Sequence, residues 1–230
     1  MPIDSGNLAL KGLDDLFSTE ESRADAQRER VLEIPLSELH PFKNHPFKVK
    51  DDEAMLETAD SIKQYGVLVP AIARPDPEGG YELVAGHRRH RASELAEKET
   101  MPVIVRDLTD EEAVITMVDS NLQREHILPS EKAFAYKMKM EALKHQGRTL
   151  GQVGPKWSIT EIAESTSDSE RQIKRYIRLT NLIPDILKLV DEGKIALTPA
   201  VELSYLQPSE QEMLFSVMDS DEVTPSLSQA

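Results

Sequence analysis

The densest chemistry in the sequence lies at Gly86-His87-Arg88-Arg89-His90-Arg91-Ala92, where one glycine and three arginines fall within about two helical turns. Residues 81–85 ahead of it read as a strand, and a helix is predicted from about Arg88 to Lys98. Backbone N–H groups and the positive end of a helix dipole meet at such a strand-to-helix turn and attract anions. Cations there are unfavourable by about 0.3–1 kcal/mol each, and a bound polyanion offsets that. Gly86, Arg88, Arg89 and Arg91 therefore suggest a phosphate cradle, with a nucleotide as ligand. The alternative is a surface cluster whose arginines pair with acids such as Glu82 or Glu94. A Walker A ending is absent, and one glycine does not make a dinucleotide fingerprint.

Two more clusters carry polar groups. Asp119-Ser120-Asn121-Leu122-Gln123-Arg124-Glu125 closes a predicted helix, either as amide capping of its C-terminus or as part of a site. Arg171, Lys174, Arg175 and Arg178 fall at i, i+3, i+4 and i+7, which puts four cations on one helix face. Ile173, Tyr176, Ile177 and Thr180 form the inward face. A basic face of this kind fits a DNA major groove, with Arg and Lys contacting phosphates and guanine edges. Ser169 and Gln172 would add polar contacts near the helix start. The alternative is a solvated charged face. His87 and His90 are three apart with no third ligand nearby, so a metal cage is not expected.

These groups need elements to hold them. Residues 31–36 alternate as a strand and run into a Pro-rich loop, 40–47. A helix is predicted over 51–65, with Met55, Leu56, Ala59 and Ile62 on one face and Gly66 as its stop. Strands are expected at 67–73, 81–85 and 103–105, with a turn at 76–80. Thr109 and Glu112 make a capping box for a helix reaching about Asn121. Strands and helices interleave, so this half is α/β or α+β.

After Leu128 only helices are expected. The first spans 130–146 and is closed by Gly147. Ser158 with Glu161 and Ser167 with Glu170 open the next two, and together they suit a helix-turn-helix unit. Pro184 starts another helix and Gly193 ends it, and two more begin near Thr198 and Ser209. The expected organisation is a tail over 1–30, an α+β domain over 31–128, a helical domain over 129–206, and a final helix and tail over 207–230. Within the first segment Leu8, Leu10, Leu13, Leu16 and Phe17 form a short amphipathic stretch suited to a partner.

Composition bounds the chemistry. The 230 residues carry 27 Lys+Arg and 41 Asp+Glu, a formal charge of −14. Residues 31–128 carry net −8, whereas residues 129–206 carry net +2. The chain is acidic around one basic stretch, so its average charge does not describe the segment that carries the four-cation face. There is no cysteine, which excludes disulfides, thiolate metal sites and thiol chemistry. No apolar run suits a membrane span and no signal core opens the chain, so a cytoplasmic protein is expected.

Three features occur in order: Gly86-His87-Arg88-Arg89-His90-Arg91-Ala92, Ser120-Asn121-Leu122-Gln123-Arg124, and the helix pair from Ile159 to Leu182. In that order they resemble ParB/RepB-type partition proteins. Residues 61–70 (SIKQYGVLVP) resemble the family's stretch before its strands, and residues 11–17 (KGLDDLF) its N-terminal motif. The resemblance covers about residues 8–206.

The resemblance implies an α+β ParB/sulfiredoxin-like N-terminal domain followed by an all-α helix-turn-helix DNA-binding domain. It implies CTP with Mg2+ in the first and a palindromic parS-like site on double-stranded DNA at the second. DNA and CTP together would drive N-domain self-association into a clamp acting in plasmid or chromosome segregation. A ParA-type ATPase would contact the segment from Leu8 to Phe17. Carried over, Gly86, His87, Arg88, Arg89 and Arg91 would meet the triphosphate. Asn121 would serve the metal, and Gln123 and Arg124 the surrounding site. His87 and Ser120 stand where the family commonly has glutamates tied to metal handling or hydrolysis, which leaves slow CTPase activity open. Residues 45–47, His-Pro-Phe, stand where Gln-Pro-Arg is usual. The family usually ends in a dimerisation domain, so a fragment lacking it is expected. Two other functions fit the fold: a transcriptional regulator of a mobile element that does not slide, and a small-molecule kinase. Sulfiredoxin chemistry is excluded by the lack of cysteine.

Overall fold

The computed structural model describes residues 30–149 and 155–221; the segment from Leu8 to Phe17 lies outside them. Five short strands build one mixed sheet: β1 (Val31–Pro35), β2 (Leu39–Pro41), β3 (Ala71–Pro75), β4 (Tyr81–Ala85) and β5 (Thr100–Val105). The spatial order is β1-β5-β3-β4-β2. β1 and β5 run antiparallel, as do β3 and β4, while β3–β5 and β2–β4 are parallel. One face of the sheet buries Ile34, Leu39, Ala73, Leu83, Met101 and Val103. Val84 belongs to a second cluster, with Phe42, Phe47, Met117 and Val118.

The strands differ from the sequence expectation in instructive ways. β3 starts at Ala71 and not at Val67, because the carbonyls of Val69 and Pro70 accept hydrogen bonds from Arg89. β5 starts at Thr100, ahead of Pro102. Pro102 lies opposite Glu33 of β1, and β3 joins the other edge only from Val103, so a residue without an N–H is tolerated. β2 lies at the start of the stretch read as a Pro-rich loop and pairs with residues 81–83.

Helix α1 (Glu53–Tyr65) is capped by Asp52, whose side chain accepts the Met55 N–H at 2.9 Å. Gly66, at φ 74°, ends it. Met55, Ala59 and Ile62 pack on Ala92 and Ala96. Leu56, expected on the same face, is 55% exposed because it stands about 100° round the helix from Met55. Helix α2 (His87–Leu95) follows β4 directly, and α3 (Asp110–Leu122) opens with the Thr109/Glu112 capping box.

The rest of the described chain is helical: α4 (Pro129–Thr149), α5 (Pro155–Glu164), α6 (Glu170–Arg178), α7 (Pro184–Asp191), α8 (Leu197–Leu203) and α9 (Pro208–Asp221). α4 runs through Gly147, whose helix penalty of about 1 kcal/mol does not stop it. α5 begins with Pro155 in its first turn, which places Ser158 inside the helix and not at its cap. α6 is capped by Ser169 with Gln172, two residues later than the Ser167/Glu170 pair. Glu170 instead accepts the Thr160 hydroxyl at 2.8 Å, tying α6 to α5. α4 is the spine of the molecule: Ala135 joins the cluster over the sheet, Ala133 the helical core around Leu179 and Ile186, and Tyr136 the cluster holding Ile162 and Ile173.

Candidate functional site

β4 ends at Ala85, and Gly86 turns the chain into α2 with φ 105°. A Cβ at Gly86 would meet the Ala71 Cβ at 2.9 Å, so packing and backbone both require glycine. Beside this turn lies a 230 Å³ pocket lined by His45, Val49, Ala85, Gly86, His87, Arg88, Arg89, Ser120, Asn121 and Arg124. The turn after β4 and the end of α3 thus meet, although more than thirty residues separate them in sequence. Arg91 and Gln123, expected with this group, do not line the pocket.

The three arginines of the turn are held differently. Arg91 makes a two-pronged ion pair with Asp51, at 2.6 and 3.0 Å, and reaches Glu94 at 3.0 Å. Arg91 fixes the Asp51 carboxyl below its ordinary range, and its own ionisation is raised in turn. Arg88 reaches Asp52 at 3.1 Å, and that bond lowers the Asp52 carboxyl. The acids are thus Asp51, Asp52 and Glu94; Glu82 pairs with Arg74 at 2.6 Å. Arg89 differs, for its Nη1 donates to two backbone carbonyls, of Val69 and, at 2.7 Å, of Pro70. Burial lowers its guanidinium from the ordinary value.

Two histidines close the pocket. The rings of His45 and His87 lie 3.8 Å apart between centroids. Burial, then the neighbouring His45 and His90, push His87 down to about 3, and burial lowers His45 as well. Both are neutral at pH 7. The Phe42 N–H donates to His87 Nε2 at 3.4 Å, and His45 Nδ1 bonds the Phe47 carbonyl at 2.7 Å. Asn121 Nδ2 donates to the Met117 carbonyl at 2.9 Å. The lining offers arginines, amides, hydroxyl and a helix start, and no carboxylate. That donor set fits a polyanion. It does not fit a magnesium site of the protein's own, which normally takes one or two carboxylates. Among the described residues no group of three or more His, Asp or Glu is placed to hold a metal.

The second surface is α6. Ile173 is fully buried, while Arg171 and Lys174 are exposed. Lys174 lies 3.6 Å from Glu170. Arg175 donates to the Thr198 hydroxyl at 2.5 Å. Arg178 donates to the Ser204 carbonyl at 3.0 Å and stacks 4.0 Å over the Tyr205 ring. All four cations line a 440 Å³ groove with Glu170, Val201 and Tyr205. Ser169 and Gln172 are engaged in the cap, where Gln172 Oε1 accepts from the Ser169 N–H at 3.2 Å.

Residues 20–122 match the family described as ParB N-terminal domain. The chain is 35% identical over 181 residues to the chromosome-partitioning protein Spo0J of Thermus thermophilus, covering 79% of this chain and 62% of that protein. Over 209 residues it is 30% identical to a probable chromosome-partitioning protein ParB of Pseudomonas putida, covering 88% of this chain and 68% of the relative. The chain belongs to the ParB family. The fold agrees: a C-terminally truncated ParB from Caulobacter crescentus, solved complexed to the centromeric parS site, superposes with a TM-score of 0.51 at 23% identity. That match covers 84% of this chain and 94% of the other. This ParB-family chain spans about three fifths of the length of the Thermus relative.

His45 and Val49 are the lining residues that spacing alone does not single out. Their signal is weak: a loop with two His-Pro steps, 40–41 and 45–46, of which the second is brought to the turn by the pairing of β2 with β4.

Proposed function

We propose that the protein is a sequence-specific DNA-binding partition protein, a CTP-gated clamp acting in chromosome or plasmid segregation from the cytoplasm. The observation that carries the nucleotide half is the convergence of Arg88, Arg89 and Arg124 with the α2 start on one pocket without a carboxylate. A bound CTP would supply the polyanion that this cationic turn lacks. Gly86 lets the backbone approach, Arg88 and Arg89 hold phosphate oxygens, and Arg124 covers them from α3. Arg91 acts one layer out by tethering Asp51 to the turn. Asn121 would meet a magnesium ion only as the companion of the phosphates. Turnover is slow in this reading, because no carboxylate lines the pocket and His87 Nε2 is turned to the Phe42 amide.

For the DNA half, α5 and α6 act as a helix-turn-helix unit, with α6 as the recognition helix. Arg171 and Lys174 contact phosphates, whereas Arg175 and Arg178, oriented by Thr198, Ser204 and Tyr205, are pre-set for base edges. Ser169 and Gln172 hold the helix start near the backbone. The target is a palindromic parS-like duplex, by likeness to the Caulobacter protein complexed to its centromeric parS site. N-domain self-association closes the clamp, and the segment from Leu8 to Phe17, outside the described residues, is the contact for a ParA-type ATPase. The decisive experiment measures binding and turnover of CTP, ATP, GTP and UTP, with and without a parS duplex. Selective CTP binding that the duplex alters is the expected result. Equal binding of all four, or of none, overturns the reading.

A further inference from the structure

We propose that Lys139 couples the pocket to the recognition helix by holding the last turn of α3 and the end of α5 with one ammonium group. The inference rests on the reading of the two sites given above. Lys139 lies on α4 and is 2% exposed. Its Nζ donates to Asp119 Oδ1 at 2.5 Å and to Ser165 Oγ at 2.9 Å. Asp119 immediately precedes Ser120 and Asn121, which line the pocket. Ser165 follows α5 and stands four residues before the Ser169 cap of α6.

A lysine withdrawn from water is an unfavourable way to fill a core, and an apolar side chain of similar length would pack there with less penalty. What the charge provides is a link between two elements. Other polar ties of α4 each reach one side only: Ser130 bonds Asp191, Lys132 and Tyr136 bond Asp168, and His145 lies 3.8 Å from Glu111 of α3. Glu131 accepts the Lys48 N–H at 2.8 Å. Lys139 alone among these joins the pocket helix to the turn before α6.

In the proposed coupling the link takes two arrangements. The Asp119 side chain is 41% exposed, so water can take over its carboxylate if the α3 turn shifts. Ser165 Oγ also donates to the Ile162 carbonyl at 3.0 Å, which anchors it to α5. Nζ therefore holds both partners or falls back on Ser165 with Asp119 hydrated. A polyanion drawing Arg124 and Asn121 toward the pocket biases that choice, and so does DNA ordering the start of α6. Coupling of this kind is reciprocal, so each ligand alters the other's affinity by the same factor.

The test compares the full chain with Lys139→Met and Ser165→Ala, the latter removing only a hydroxyl. Calorimetry measures CTP affinity with and without a parS duplex, and duplex affinity with and without CTP. In the wild type a coupling factor of about fivefold or more is expected. In both variants it falls to about unity, while each ligand alone binds within about threefold of wild type. Lys139→Arg restores part of the coupling. An unchanged coupling factor in Ser165→Ala overturns the inference even if Lys139→Met fails to fold. A wild type that binds both ligands without coupling also overturns it. A wild type that binds neither overturns the reading of the sites instead.

Discussion

The two cationic regions solve one problem in opposite ways. At the turn after β4, Arg88 and Arg91 are matched by carboxylates from residues 51, 52 and 94, and only Arg89 is held by neutral carbonyls. On α6, Arg175 and Arg178 are both held by neutral groups: a hydroxyl, a carbonyl and an aromatic ring. A guanidinium matched by a carboxylate has its charge answered already, so an arriving phosphate must compete with an acid. One positioned by a carbonyl, hydroxyl or ring keeps its full charge for an anion while losing little orientational freedom. Under the proposed function this ranks the arginines: Arg89, Arg175 and Arg178 would be the ones poised for a ligand, and Arg91 a structural tether.

Arg89→Ala tests that ranking most severely. Removing one charge-assisted contact to phosphate should weaken CTP binding by about 1.5–3 kcal/mol, roughly 10- to 150-fold, with duplex binding in the absence of nucleotide unchanged. Calorimetry giving unaltered CTP affinity would erase the distinction between Arg89 and Arg91. On the other region, Arg175→Ala should cost about 1–3 kcal/mol on the cognate duplex and little on a scrambled one. Arg171→Ala should instead weaken both duplexes alike and lower the salt slope by about 1. Fluorescence anisotropy across a salt series separates the two outcomes.

A third prediction concerns the histidine pair. His87 has a folded-state value of about 3 against an ordinary 6.5, so the unfolded chain takes up the proton first as pH falls. Its contribution is fully present above pH 6.5 and is lost toward pH 3, at no more than about 1.4 kcal/mol per pH unit. Denaturant unfolding of His87→Gln should show a shallower acid loss than wild type, and identical profiles would remove His87 from the account. The smallest effect is expected for Arg91→Ala. Its partners are solvent-exposed, so CTP affinity should change by about threefold or less; a loss as large as that of Arg89→Ala would reverse the ranking.

What can be read from the sequence follows the range of the interactions. The Thr109/Glu112 cap is readable because both partners lie within four residues. The cap of α6 is displaced by two residues because two Ser-x-x-Glu/Gln patterns overlap there, and Thr160, ten residues away, binds Glu170 and leaves the cap to Ser169. The arginine turn and the four-cation face are visible as spacing. Their partners are not, since Asp51 and Asp52 reach the turn across 40 and 36 residues and Ser204 reaches Arg178 across 26. The meeting of the turn with the end of α3 is implied only by the family resemblance. It depends on the packing of α3 against Val84 of β4.

The segment between α1 and β3 has a practical consequence. Leu68 is 78% exposed, and the next two carbonyls rest on Arg89. The chain has no cysteine, so Leu68→Cys would provide one unique thiol next to Val69, whose carbonyl accepts from the guanidinium proposed to hold phosphate. A solvent-sensitive dye attached there would report the arrival of an anion at Arg89 as a change in emission, in real time and without labelling the ligand.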